Sequence, residues 1–284
     1  MKEISRERPV LIAGPTASGK SALALELAAR DGRVVVNADA LQVYAQWRVL
    51  TARPSVAEEA RAPHALYGHV GRVAYSVGDW LRDVAGLLDQ PVVIVGGTGL
   101  YFMALTEGLA EVPPVPPEVR AQGDALRLGD FAAMVAGLDP ETAAKTDLKN
   151  PMRVQRGWEV LTATGRGLAW WQAQTPAPLV PVGAAEALVF RPSVPWLDAR
   201  IARRFSVMLE EGALEEARLA LSHWEPLAPW ARAIGAPELV AHLQGRMTLP
   251  QAQEAATLAS RQYAKRQRTW FRARMGDWQP VTPG

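Results

Sequence analysis

Gly14-Pro15-Thr16-Ala17-Ser18-Gly19-Lys20-Ser21 decides the fold. The stretch fits G-x-x-x-x-G-K-[ST], and its flanks supply the context that this pattern requires. Before it, Pro9-Val10-Leu11-Ile12-Ala13 reads as a short apolar strand. After it, Ser21 to Arg30 is rich in Ala and Leu and reads as a helix. Glycines at both ends let the backbone turn its N–H groups inward as a nest for anionic oxygens. The helix N-terminus adds partial positive charge. Lys20 balances phosphate charge, and the Ser21 hydroxyl suits Mg²⁺, an ion that prefers oxygen ligands and keeps several waters. Residues Gly14, Pro15, Thr16, Ala17, Ser18, Gly19, Lys20 and Ser21 are therefore expected to hold phosphate, with Ser21 as the candidate metal ligand.

Further strands follow from the same logic. Val34-Val35-Val36, Pro91 to Val95 and Ala187 to Phe190 are short β-branched runs without polar alternation. Such runs are expected of parallel strands buried on both faces. Helical text between them gives an α/β layering. Pro113-Pro114-Val115-Pro116-Pro117 breaks this pattern, and helical text then runs from about Glu118 to Gln174 until Pro176, Pro178 and Pro181. The expected fold is α/β, a P-loop NTPase-like parallel sheet core with a helical insertion domain. The core should take residues 1–112 and 185–284, and the insertion residues 113–184. Three later helices are expected near Val194–Glu211, Glu215–Ser222 and Pro250–Arg274.

Composition narrows the function. Hydrophobic residues make up 49% and charged residues 21% of the 284, a balance that can build a sizeable core. No apolar run approaches the 18 residues a membrane span needs, and the charged start, Met1 to Pro9, does not read as a secretory signal. Cysteine is absent, which removes disulfides, zinc thiolates and cysteine nucleophiles and accords with a cytoplasmic protein. The four histidines, His64, His69, His223 and His242, lack metal-ligand spacing. Net charge is only +2, yet Arg261, Lys265, Arg266, Arg268, Arg272 and Arg274 crowd one acid-free stretch. Arg261, Lys265, Arg268 and Arg272 are spaced to share one helix face, the local excess a polyanion would meet. Trp170, Trp171 and Trp270 read as core or seam residues, and His64 as structural.

Most P-loop nucleotidases place a carboxylate at the end of a later strand to hold the Mg²⁺ shell. Here Val92 to Val95 runs into Gly96-Gly97-Thr98-Gly99 without one. The acid at a strand end is Asp39. Strand ends of an open parallel sheet face one crevice, so Asp39 and Thr98 should converge beside the loop. A kinase acting on a nucleotide or small molecule shares the loop and core, but it calls for a second carboxylate. A non-catalytic RNA-binding protein with a relic loop would not need Lys20, Ser21 and Asp39 together.

Six segments in order, from about Val10 to Arg274, resemble the tRNA dimethylallyltransferases (tRNA isopentenyltransferases). Besides the loop these are Asn37-Ala38-Asp39-Ala40-Leu41-Gln42-Val43-Tyr44, Thr51-Ala52-Arg53-Pro54, Val95-Gly96-Gly97-Thr98-Gly99-Leu100-Tyr101, Asn150-Pro151-Met152-Arg153-Val154-Gln155-Arg156 and Arg261-Gln262-Tyr263-Ala264-Lys265-Arg266-Gln267. The resemblance implies that the loop grips the diphosphate of dimethylallyl diphosphate. It also implies that Asp39 acts on the exocyclic amine of the adenosine 3′ of the anticodon, and that Thr98 and Arg204 join Lys20 and Ser21 at the diphosphate. Contacts to the tRNA anticodon arm are then expected from Asp39, Ala40, Leu41, Gln42 and Thr98. Arg120, Met152, Arg153, Val154, Gln155 and Arg156 would add more in the insertion. Arg232, Ala233, Ile234, Gly235, Ala236 and Pro237, with Arg261, Lys265 and Arg268, complete the expected set. Mg²⁺ is the expected cofactor, and a monomer suffices. Two departures stand out. Ala40 replaces the family's serine, and Ile234-Gly235-Ala236-Pro237 lacks the aromatic and basic residues usual after Ile-Gly.

Overall fold

The computed structural model describes residues 4–283; Met1 to Glu3, the start of the charged run, lie outside the described residues. The chain divides into two compact units, one of residues 1–106 and 179–284 and the other Glu107–Pro178. The first junction falls at the end of the helix Gly99–Glu107, ahead of the expected boundary at 112/113, and the second falls within the Pro176, Pro178 and Pro181 cluster, ahead of the expected 184/185.

The first unit holds a six-stranded sheet. Its strands are β1 (Val10–Ala13), β2 (Val34–Asn37), β3 (His64–Ala65), β4 (Val92–Gly96), β5 (Glu186–Phe190) and β6 (Gln279–Val281). They lie in the order β3-β2-β4-β1-β5-β6, and every pairing is parallel. Side-chain alternation explains the unbroken apolar runs. Leu11, Ala13, Val36, Ile94 and Val189 face one side with Trp80, Tyr101 and Phe102. Val10, Ile12, Val35, Val95 and Leu188 face the other against Ala24, Leu25, Leu27 and Ala28 of the P-loop helix, Lys20–Asp31. Both faces are dry, so neither can alternate with polar residues. Strands β3 and β6 add only two and three residues, too short to leave a period in the sequence.

A second apolar cluster, beyond the sheet, joins Val43, Tyr44, Trp47 and Leu50 to Phe205, Trp230, Leu239, Ala252 and Ala256. It is built on four helices, Val194–Glu210, Ala213–Ala220, Ala236–Leu243 and Leu249–Arg274. The indole N–H of the fully buried Trp47 donates to the Trp230 carbonyl at 2.7 Å, so this aromatic core is oriented as well as packed. The helix Ala236–Leu243, which starts directly after Gly235, is not among the expected helices.

The second unit is helical: Pro117–Gly129, Phe131–Ala136, Pro140–Lys145, Pro151–Thr164 and Leu168–Ala173. Met134, Leu138 and Val154 form its small core. Asp130, Asp139 and Asn150 each cap a following helix by accepting a backbone N–H three residues on, which explains several short helices where the text reads as one long run. No described helix is long and apolar enough to cross a membrane.

Candidate active site

The phosphate-type loop sits between β1 and the P-loop helix. Ala17 and Gly19 adopt left-handed conformations, φ 62° and 90°, the geometry that turns successive N–H groups into a nest. The helix Val194–Glu210 reinforces the loop from outside. Arg204 donates from Nη1 to the Thr16 hydroxyl at 2.8 Å, and Arg200 donates from Nε to the Ala17 carbonyl at 2.9 Å. These residues are four apart and so share a helix face. Lys20 reaches back to the Pro15 carbonyl at 3.3 Å. Burial draws its ammonium down from 10.5 to about 8; Asp39 pulls the other way and Arg204 adds to the fall. Burial also lowers the Arg204 guanidinium, again opposed by Asp39. Three charged groups thus share one enclosed site.

Asp39 is presented by the end of β2. Asn37 is fully buried, and its Oδ1 accepts the Asp39 N–H at 2.8 Å while its Nδ2 donates to the Asp39 and Leu66 carbonyls, both at 3.0 Å. Trp80 donates to the Asn37 carbonyl at 2.7 Å. Asp39 Oδ1 accepts the Leu41 N–H at 3.0 Å, which fixes the carboxylate and leaves Oδ2 facing Gly97. Next door, β4 ends on glycines for steric reasons. A Cβ on Gly96 would lie 2.0 Å from the Ala38 carbonyl oxygen, and one on Gly97 would lie 2.2 Å from Gln267 Nε2 and 3.1 Å from Asp39 Oδ2. Such contacts are not tolerated between close-packed groups. The Thr98 N–H donates to the Ala38 carbonyl at 3.1 Å, and its hydroxyl accepts the Ala40 N–H at 2.9 Å. Asp39 and Thr98 therefore converge as strand-end logic predicts. The tie runs through the backbone of Ala40 and needs no hydroxyl at that position.

Thr16, Asp39 and Arg204 open into one shared cleft. Thr16, Asp39, Arg204 and Tyr263 form its polar side; Leu41, Leu50, Ile201, Phe205, Met208 and Ile234 form an apolar wall. Burial and the nearby Asp39 push the Tyr263 hydroxyl up, so it stays protonated as a donor. The lining thus combines anion-binding groups and a carboxylate with hydrocarbon. Such a cleft suits a reaction between an apolar fragment carrying phosphate and a weakly acidic N–H.

The other expected residues are placed variously. Gln42 spends its amide on the carbonyls of Thr51 and Ala52, at 2.8 and 3.0 Å. Ile234 lines the cleft. Ala233, Gly235 and Ala236 are buried, whereas Arg232 and Pro237 are exposed. Gly235 has φ 97°, and a Cβ there would meet Phe205 at 2.7 Å. In the helical unit Arg120, Met152 and Arg153 are exposed and Arg156 is half-buried. Val154 and Gln155, also expected at the tRNA, are turned inward. Val154 lies in the core, and Gln155 is buried with its amide on Asp124 and Glu159. Consecutive residues of a helix point different ways, so a linear motif cannot all face one partner. On the helix Leu249–Arg274, Ala252, Ala256, Ala264, Gln267 and Phe271 are buried. Arg261, Lys265 and Arg272 are exposed and Arg268 half-buried. None of these four bases has an ion pair with a described residue. Sequence reading missed Arg200 and Gln267, and gave Tyr263 no role.

No group of three or more His, Cys, Asp or Glu capable of caging a metal occurs among the described residues. The donor set here is one exposed loop hydroxyl, Ser21, beside an anion nest. That fits a hard cation delivered with phosphate oxygens and waters, not a resident all-protein site.

Comparison with known proteins agrees with this geometry. A family model described as IPP transferase matches residues 42–274, and one described as isopentenyl transferase matches residues 8–67. The tRNA dimethylallyltransferase of Dinoroseobacter shibae is 66% identical, covering 100% of this chain and 98% of its own. That of Paracoccus denitrificans is 60% identical over 100% of this chain and 97% of its own. Among solved structures, the full-length tRNA isopentenylpyrophosphate transferase of Bacillus halodurans superimposes with a TM-score of 0.67 at 29% identity, covering 97% of this chain and 90% of that one. A eukaryotic dimethylallyltransferase acting on tRNA gives a TM-score of 0.79 at 24% identity, covering 97% and 74%, and shows the fold. Matched along its whole length by relatives of that name, the chain belongs to the IPP transferase family, the tRNA dimethylallyltransferases.

Proposed function

We propose that the chain transfers a dimethylallyl group from dimethylallyl diphosphate to the exocyclic amine of the adenosine 3′ of the anticodon in tRNA. The observation that carries the reading is the single cleft into which Thr16, Arg204, Asp39 and an apolar wall all open. The loop nest, Lys20, Arg204 and Thr98 hold the diphosphate. As the allylic C–O bond breaks, its electron pair leaves with the diphosphate, and the pre-placed donors stabilise that charge most in the transition state. The amine nitrogen forms the new C–N bond. Its proton passes to Asp39, whose carboxylate is held in place by the Leu41 N–H. The apolar wall takes hydrocarbon and excludes water that would otherwise capture the allylic carbon. Ser21 would hold Mg²⁺ here, and the ion would supply further positive charge for the leaving group.

The adenine has to leave its stack to enter a cleft at strand ends, and a single-stranded loop makes this easy. Arg261, Lys265 and Arg268 meet the phosphate backbone of the anticodon arm, as do Arg232, the exposed Arg120 and Arg153 and the half-buried Arg156 of the helical unit. The protein works as a cytoplasmic monomer. The test is donor and acceptor dependence: diphosphate should be released from dimethylallyl diphosphate only when tRNA is added, and ATP should not be consumed. ATP consumption without diphosphate release would overturn the reading in favour of a kinase.

A further inference from the structure

Gln267 is a polar residue in the buried stripe of the helix Leu249–Arg274, 5% exposed. Both amide atoms bond backbone groups that lie outside its own helix. Oε1 accepts the Thr16 N–H at 2.8 Å, and Nε2 donates to the Gly97 carbonyl at 2.9 Å. Those partners belong to the two glycine-bearing loops of the cleft, at the ends of β1 and β4. Arg204 holds the hydroxyl of the same Thr16, so that residue's amide and hydroxyl are both fixed from other helices. Gly97 in turn lies between Gln267 Nε2 and Asp39 Oδ2, and only a residue without Cβ fits there. Tyr263, one helical turn earlier, brings its hydroxyl against Thr98 and Gln267.

A glutamine used only for packing is replaceable by a hydrocarbon of its shape. A buried amide whose two ends bond two separate loops fixes the distance between them. Here that distance separates the groups that hold the leaving diphosphate from those that hold Asp39 and Thr98. We propose that Gln267 is a positioning residue that sets the register of the diphosphate loop against the Asp39–Thr98 ledge. It touches neither substrate. The proposal rests on the transferase reading above, and predicts a specific kinetic split. Each half of the site still binds its own ligand when the bridge is lost, but the reacting atoms no longer meet at the right separation. Misplacement of about 1 Å costs about 10²-fold in rate.

The experiment compares wild type with Gln267→Met, which keeps shape and loses both bonds, and Gln267→Glu, which keeps the acceptor for Thr16 and loses the donor to Gly97. Single-turnover transfer is measured with saturating dimethylallyl diphosphate and tRNA, alongside the Kd of each and the thermal midpoint. The expected result for Gln267→Met is a rate loss of about 10–100-fold with both Kd values within about threefold. For Gln267→Glu, the ratio of variant to wild-type rate should rise as pH falls, because the protonated carboxyl regains a donor toward Gly97. Taking the ratio cancels the titration of groups that the substitution leaves unaltered. A rate within twofold of wild type in Gln267→Met overturns the proposal. So does a loss expressed wholly in the Kd of the diphosphate, or a flat pH ratio in Gln267→Glu should the first variant not fold. Absence of transfer by wild type itself would instead overturn the transferase reading.

Discussion

Arg204 donates from its guanidinium to the Thr16 hydroxyl at 2.8 Å, although 188 residues separate them in sequence. The bond ties the helix Val194–Glu210 to the phosphate loop and holds a cation over the nest. Arg204→Lys keeps the charge but loses the fork that grips Thr16 and a phosphate oxygen together. The expected outcome is a rise in KM for dimethylallyl diphosphate and a fall in kcat of about 10²–10³-fold for Arg204→Ala, the loss seen when one transition-state donor is removed. Arg204→Lys should recover only part of it. Steady-state kinetics with varied donor check this, and full recovery by lysine would show that charge alone matters.

Asp39→Asn preserves the shape and keeps an oxygen for the Leu41 N–H, but it cannot take a proton. Transfer should fall by about 10²–10⁴-fold while tRNA affinity stays the same. Single-turnover rates with pre-bound tRNA separate these quantities. An unchanged rate would remove Asp39 from the proton path.

Burial leaves the Lys20 ammonium at about 8 in the free protein. A bound diphosphate favours the charged form, so binding raises that value. The sign follows: below about pH 8 Lys20 is already protonated, and affinity for the donor is level. Above it the free protein must take up a proton to bind, and affinity falls as pH rises. Calorimetry at pH 8.5 in buffers of different ionisation heat should show net proton uptake on binding, lost in Lys20→Met.

Arg261, Lys265, Arg268 and Arg272 of the helix Leu249–Arg274, which form no ion pair with a described residue, predict a steep salt dependence of tRNA affinity. Lys265→Ala and Arg268→Ala should each lower the slope of log affinity against log salt by about 1, without altering the Kd for dimethylallyl diphosphate. Filter binding across a salt series checks the slope. A slope unchanged in the double variant would place the RNA elsewhere.

Much of this site was legible because phosphate chemistry constrains neighbouring residues. The loop has to have glycines, a lysine and a hydroxyl at fixed spacing, and strand ends of a parallel sheet have to share a crevice. Asp39, Thr98 and the loop could therefore be placed together from text alone. Arg200 and Gln267 could not. Their partners lie 183, 251 and 170 residues away, and a glutamine in a basic stretch looks like one more surface residue. The burial of Val154 and Gln155 was hidden for the converse reason, since a motif written as a line carries no record of which residues a helix turns inward. The six strands were partly visible for a similar reason. Runs buried on both faces announce themselves, whereas His64–Ala65 and Gln279–Val281 are too short to do so.

The most direct test of the central claim is mass spectrometry of nucleosides from unmodified tRNA incubated with the protein, Mg²⁺ and dimethylallyl diphosphate. The account predicts adenosine heavier by one dimethylallyl unit, at the position 3′ of the anticodon, formed by wild type and lost in Asp39→Asn. Adenosine of unchanged mass, with the donor intact, would contradict it.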